Sequence, residues 1–165
     1  MGGLCHFMGI HETLSRLGLT LPEAPCPVGS YVPARQAGDL IFVSGVLPFR
    51  EGKIEQPGKL GRELTVMEGA AAAQLAMLNG LAILQEMMGD FSSLNQVVRL
   101  TGHVASVEGF VDQPAVINGA SNLLVNLFGD AGRHARLALG AFELPLHAPI
   151  ELELIVQVFS PKVGF

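Results

Sequence analysis

Two period-two segments near the C-terminal end, within RHARLALGAFELPLHAPIELELI at residues 133–155, restrict this chain more than any other feature. In the first, Ala135, Leu137, Leu139 and Ala141 fall on one face of a strand, opposite Arg136, Ala138, Gly140 and Phe142. In the second, Ile150, Leu152, Leu154 and Val156 alternate with Glu151, Glu153, Ile155 and Gln157. The connection from Glu143 to Pro149 holds Pro145 and Pro149 and is short enough to turn an antiparallel pair. Such a hairpin puts Arg136 on the same side of the sheet as Glu151 and Glu153. With Gly140 leaving room beside it, a guanidinium on a partly apolar sheet face makes a pocket for a small anion. A second reading suits the same residues equally well: a salt bridge from Arg136 to Glu151 or Glu153 that locks the hairpin or an interface.

Charge is scarce. Of 165 residues 15% are charged and 49% apolar, against roughly 25% charged in an ordinary soluble domain. One domain with a sizeable core is expected, and self-association is expected to hide the remaining apolar surface. Ten basic against 15 acidic side chains leave a formal charge of −5, which argues against a protein that grips phosphate backbones. Cys5 and Cys26 read as free cytosolic thiols rather than a disulfide framework. No signal peptide is evident, and His6 occupies the position where a myristoylation signal needs Ser or Thr, so a cytoplasmic location is expected. The most apolar region, Val66 to Met88, is interrupted by Glu68, Gln74, Asn79, Gln85 and Glu86 and reads as a core helix, not a membrane span.

Taken in order, His6 to Leu17 has helical spacing and stops at Gly18. Leu21 to Gly29 is a proline-bearing arm, giving an N-terminal piece over residues 1–28 and a domain over 29–165. Tyr31 to Arg35 and Leu40 to Ser44 read as strands joined at Ala37-Gly38-Asp39, and Pro48 to Arg62 as a surface loop. Thr65 with Glu68 forms a capping-box signature before the long helix, which ends at Met88-Gly89-Asp90. Gln96 to Ser106 is a third strand, and Pro114 to Phe128 a second helix closed by Gly129. The order β-β-α-β-α-β-β predicts an α+β fold, a mixed sheet with both helices on one face. The other face, expected to carry Arg136, is left for another subunit to cover.

No dinucleotide fingerprint, phosphate-binding loop or serine elbow around Ser44 is present. His11-Glu12 lacks the second histidine of a zinc helix, and His103, His134 and His147 lack metal-ligand spacing. Neither a metal nor a cofactor is expected. His147 reads as a loop residue and His103 as a satisfied core or interface histidine. His134, beside the Arg136 strand, is a candidate for a place next to the substrate.

Several motifs occur together in a telling order: Gly29-Ser30-Tyr31-Val32, Val43-Ser44-Gly45, Asn118 opening the second helix, then Ala135-Arg136, Leu144-Pro145 and Ile150-Glu151-Leu152-Glu153. On these, from about Tyr31 to Val158, the chain resembles the YjgF/Rid family, also known as endoribonuclease L-PSP or translation-inhibitor-like proteins. The resemblance implies a chorismate-mutase-like α+β fold and a homotrimer with clefts between subunits. It also implies hydrolysis of reactive 2-imino or enamine acids, such as 2-iminobutanoate, to the keto acid and ammonia. Carried over, Arg136 binds the substrate carboxylate and Glu151 holds and activates water. Tyr31 and Ser44 line the cleft, Asn118 adds a polar contact, and Ala138 contributes backbone where the family commonly has Cys. Val46 stands where the family commonly has Gln. The N-terminal helix and the Gly129–Gly132 insertion lie outside the common core, which marks a divergent subgroup. An imine is already electrophilic, so orientation and a general base, worth about 10²–10⁴-fold, suffice. A trimeric carboxylate-binding module without catalysis is the alternative. Ribonuclease action suits the sequence poorly, because one Tyr, no Trp and net acidity offer neither stacking platform nor basic track.

Overall fold

The computed structural model describes residues 9–25 and 29–159. Cys5, Cys26 and the start of the expected N-terminal helix lie outside them. In chain order the elements are α1 (Ile10–Arg16), β1 (Ala34–Ala37), β2 (Leu40–Val46), β3 (Phe49–Arg50), β4 (Lys53–Ile54) and α2 (Val66–Met88). They continue with β5 (Leu94–Ala105), α3 (Gln113–Phe128), β6 (Ala135–Ala141) and β7 (Ile150–Val158). The main sheet runs β1-β2-β7-β5-β6, and β3 with β4 forms a two-stranded ribbon inside the expected loop. The fold is α+β with a mixed sheet: β5 and β6 are parallel, the other neighbours antiparallel.

Local chemistry explains the helices. The Thr65 hydroxyl accepts from the Glu68 amide at 3.3 Å while a Glu68 carboxylate oxygen accepts from the Thr65 amide at 2.8 Å, the reciprocal capping box. From Gly69 to Leu84 nearly every α2 side chain is buried, because the helix packs on the sheet with one side and against the neighbouring α3 with another. α2 is long and apolar enough to cross a membrane, but 67% of its most apolar window lies inside the protein core. α2 packs on β2 and β7, while α3 packs on β5 and β6, so both helices cover one sheet face. α1 lies against α3 and contributes Ile10 and Leu14 to the same core.

The sheet register corrects the hairpin. β6 does not pair with β7. The chain leaves β5, runs through α3 and returns as a parallel neighbour, a β-α-β crossover, and β7 then inserts between β5 and β2. Arg136 is aligned with Leu100, Leu100 with Leu154, and Leu154 with Val43, so Arg136 lies on the helix-covered face, at the edge strand. Glu151 and Glu153 are aligned with His103 and Thr101 on the opposite, open face. Neither the predicted carboxylate pocket on one face nor the predicted Arg136–glutamate bridge exists within this chain. β1 also begins later than expected, so Tyr31 precedes the sheet rather than belonging to it.

Candidate functional site

The expected site residues fall into two groups. The first surrounds a cavity of about 70 Å³ lined by Pro25, Tyr31, Ser44, Gly45, Phe49 and Glu151, among others. Its geometry starts from an irregularity in β2, where the pairing with β7 shifts between Val43 and Val46. That shift releases Ser44 and Gly45 from regular pairing. The Ser44 hydroxyl donates to the Val32 carbonyl at 2.7 Å, and its amide donates to the Pro33 carbonyl at 2.9 Å. Ser44 therefore anchors the segment that carries Tyr31 at the cavity rim.

Gly45 is what lets the Glu151 carboxylate lie against the backbone of β2. A Cβ on Gly45 would come within 3.1 Å of Glu151 Cδ and closer still to Oε1. On the inner side, the buried Asn79 amide of α2 donates to the Leu47 and Phe49 carbonyls at 3.0 and 2.9 Å, fixing the wall beyond Gly45. Burial pushes the Glu151 carboxyl above the ordinary glutamate range; His103 opposes this and Glu153 adds to it. A carboxylate so placed is more basic than a solvated one.

The second group sits across the molecule. Arg136 Nη1 donates to Asn118 Oδ1 at 2.7 Å and to Ser121 Oγ at 3.2 Å, both on α3. His134 Nε2 lies 3.1 Å from the same Ser121 Oγ, and its Nδ1 lies 2.6 Å from the Gly132 carbonyl oxygen. Ala138 follows on the same side of β6, whose outer edge pairs with no strand of the sheet. Two strand spacings, about 10 Å, and the thickness of the sheet separate Arg136 from Glu151.

The open face adjoins the first group. A groove of about 830 Å³ is lined by Tyr31, Ser44, Arg35, Arg99, His103 and Glu153, together with the half-exposed Phe42 and Val32. Leu137 and Leu139 of β6 extend this apolar surface. Among the described residues, Arg35, Arg99 and Glu153 form no salt bridge. His103, read from sequence as a satisfied histidine, stands opposite Glu151 in the β5–β7 ladder, and among the described residues its ring makes no hydrogen bond. No cluster of three or more metal-ligating side chains occurs among the described residues.

Sequence reasoning missed Ser121, Asn79 and the role of Gly45. Ser121 was findable: it stands three residues after Asn118 and so on the same helix face. Asn79 and Gly45 carry no local signal, since their partners are distant in the chain.

Comparison with known proteins agrees with this architecture. Residues 11–158 match the family model described as "YjgF/chorismate mutase-like, putative endoribonuclease". Protein TCP17 of Trypanosoma cruzi is 40% identical over 150 residues, spanning 90% of this chain and 94% of its own. The crystal structure of Atu1372, a protein of unknown function from Agrobacterium tumefaciens, superposes with a TM-score of 0.88 at 43% identity, covering 93% and 94% of the two chains. That of a "putative endoribonuclease" from Shewanella oneidensis gives 0.87 at 35% identity, covering 90% and 99%.

Proposed function

This chain belongs to the YjgF/chorismate mutase-like family, and on that premise we propose that it hydrolyses 2-imino acids in clefts between identical protomers. The observation that carries the proposal is the division of the site. A carboxylate of raised basicity lies in a small cavity beside β2, and an arginine held by an asparagine lies on the other sheet face at the edge strand β6. One protomer's Arg136 edge meeting the next protomer's Tyr31–Ser44–Glu151 cavity completes a site, and repeating the contact closes a homotrimer. The sparse charge of the chain and the unpaired ions and apolar side chains of the open face support burial of that face.

The reaction is R–C(=NH)–COO⁻ + H₂O → R–C(=O)–COO⁻ + NH₃. Arg136 takes the carboxylate, leaving the imine carbon beside Glu151. The Glu151 carboxylate accepts a proton as water oxygen bonds to that carbon and the C=N π electrons move to nitrogen. That proton passes from Glu151 to nitrogen to give a carbinolamine; Glu151 then moves the carbinol hydroxyl proton to nitrogen, and the C–N bond breaks so that ammonia leaves as the carbonyl forms. No cofactor takes part.

The test is ammonia release from 2-iminobutanoate generated in the assay by an amino acid oxidase. Wild type is expected to accelerate it, and Arg136→Ala to lose about 10²-fold or more in kcat/KM, as for a charged partner of a carboxylate. Light scattering should report three protomers. A strictly monomeric protein, or an unaffected Arg136→Ala, overturns the reading. A protein that binds the keto acid but releases no ammonia is instead a carboxylate-binding module. RNA incubated with the protein is expected to stay intact.

Gly45→Ala provides an independent check. The added methyl meets the mobile end of a side chain, so stability should change by less than about 1 kcal/mol. Displacing the Glu151 carboxylate by an ångström should nevertheless cost about 10²-fold in rate. Equal rates in Gly45→Ala and wild type would mean that the carboxylate position is irrelevant to hydrolysis.

A further inference from the structure

The hydrogen bonds around Arg136 run in one direction and extend beyond any group that reaches a substrate. The Gly132 carbonyl oxygen can only accept, so at 2.6 Å the His134 proton resides on Nδ1. In the neutral ring Nε2 is then a bare acceptor, and the Ser121 hydroxyl 3.1 Å away donates its proton to it. That donation turns a Ser121 lone pair toward Arg136 Nη1 at 3.2 Å. The other Nη1 proton goes to Asn118 Oδ1 at 2.7 Å. Both Nη1 protons are thus used, and among the described residues Nε and Nη2 have no partner. Those two atoms form the side of the guanidinium that pairs bidentately with a carboxylate.

We propose that Ser121 and His134 are positioning residues that hold Arg136 with its Nε–Nη2 edge turned out for a carboxylate, His134 acting through Ser121 without touching the ligand. The inference rests on the reading of Arg136 as the carboxylate-binding group. It differs from the expectation that His134 stands next to the substrate. It also gives the Gly129–Gly132 insertion a use, since the Gly132 carbonyl, on the 3₁₀ turn after α3, sets the histidine tautomer.

The experiment compares wild type, Ser121→Ala, Ser121→Thr, His134→Phe and Arg136→Ala. It measures pyruvate binding by calorimetry, the steady-state constants for imine hydrolysis and thermal melting. Ser121→Ala is expected to weaken pyruvate binding and raise KM together by about 10-fold, the loss of one hydrogen bond to a charged group, with the change absent from kcat. Ser121→Thr, which keeps the hydroxyl, should restore binding to within about threefold. His134→Phe should weaken binding in the same sense as Ser121→Ala and less than Arg136→Ala. Variants that melt earlier yet bind pyruvate like wild type would show that the network only ties the turn to α3, and would overturn the inference. Wild type that neither binds pyruvate nor consumes imine would overturn the reading of Arg136 itself. Should Ser121→Ala fail to fold, His134→Phe and the threonine variant decide the matter alone.

Discussion

Glu151→Gln is expected to lower imine hydrolysis by about 10²–10⁴-fold, the full contribution of a general base, while leaving the keto acid product bound through Arg136. Glutamine preserves shape and fills the same space over Gly45, so the loss isolates proton acceptance. The pH dependence follows from the direction of the Glu151 shift. Only the ionised carboxylate accepts a proton from water, so the wild-type rate should fall as pH drops through its ionisation. Burial places that fall above the range of a solvated glutamate, with Glu153 on the same strand acting in the same sense and His103 on β5 acting against it. Tyr31 and Ser44 are the other polar side chains at the cavity. In Glu151→Gln this acid limb should vanish along with the rate. Ammonia release measured across the acid range checks both effects, and a glutamine variant that keeps the wild-type rate and limb would remove Glu151 from the mechanism.

Gly119→Ala is expected to cost about 3 kcal/mol or more, since a Cβ there would sit 2.7 Å from the Ala70 carbonyl carbon and closer still to its oxygen. Two effects compete. Alanine is the better helix former by about 1 kcal/mol, but that gain cannot offset a clash with the backbone of a packed helix. Relief requires α2 and α3 to move apart along a contact that runs through the core. Gly119 also lies between Asn118 and Ser121, so the same displacement should withdraw the Arg136 supports. In a domain of this size the midpoint of thermal unfolding should drop by roughly 10 °C, and carboxylate binding should weaken with it. Gly80→Ala, where the new methyl would meet only Val46 Cγ2 at 3.8 Å, is the control and should melt no earlier than wild type. Equal melting of the two variants would mean that the helix crossing is not close-packed at Gly119.

Much of this is legible in the sequence. The capping box at Thr65, the end of α2 at Met88, the extent of α3 to Phe128 and the alternation in β6 and β7 all follow from contacts within a few residues. The resemblance carried by Tyr31, Ser44, Asn118, Arg136 and Glu151 pointed to the right family, and the structure gathers those residues into two clusters. The mistake lay in strand order. Two prolines and a short connection made a β6–β7 hairpin look natural, yet β5-α3-β6 is also a crossover unit, and burying both helices on one face favours it.

Periodicity dictates which side chains share a strand face, because alternation is a property of consecutive residues; this chain's sequence alone assigned Arg136 and Ala138 to one face of β6 and Glu151 and Glu153 to one face of β7. Which of those faces meets helix and which meets open space was decided only in three dimensions. It depends on where β7 inserts, and that is set by the total apolar surface buried between sheet and helices, a sum over residues far apart in the chain.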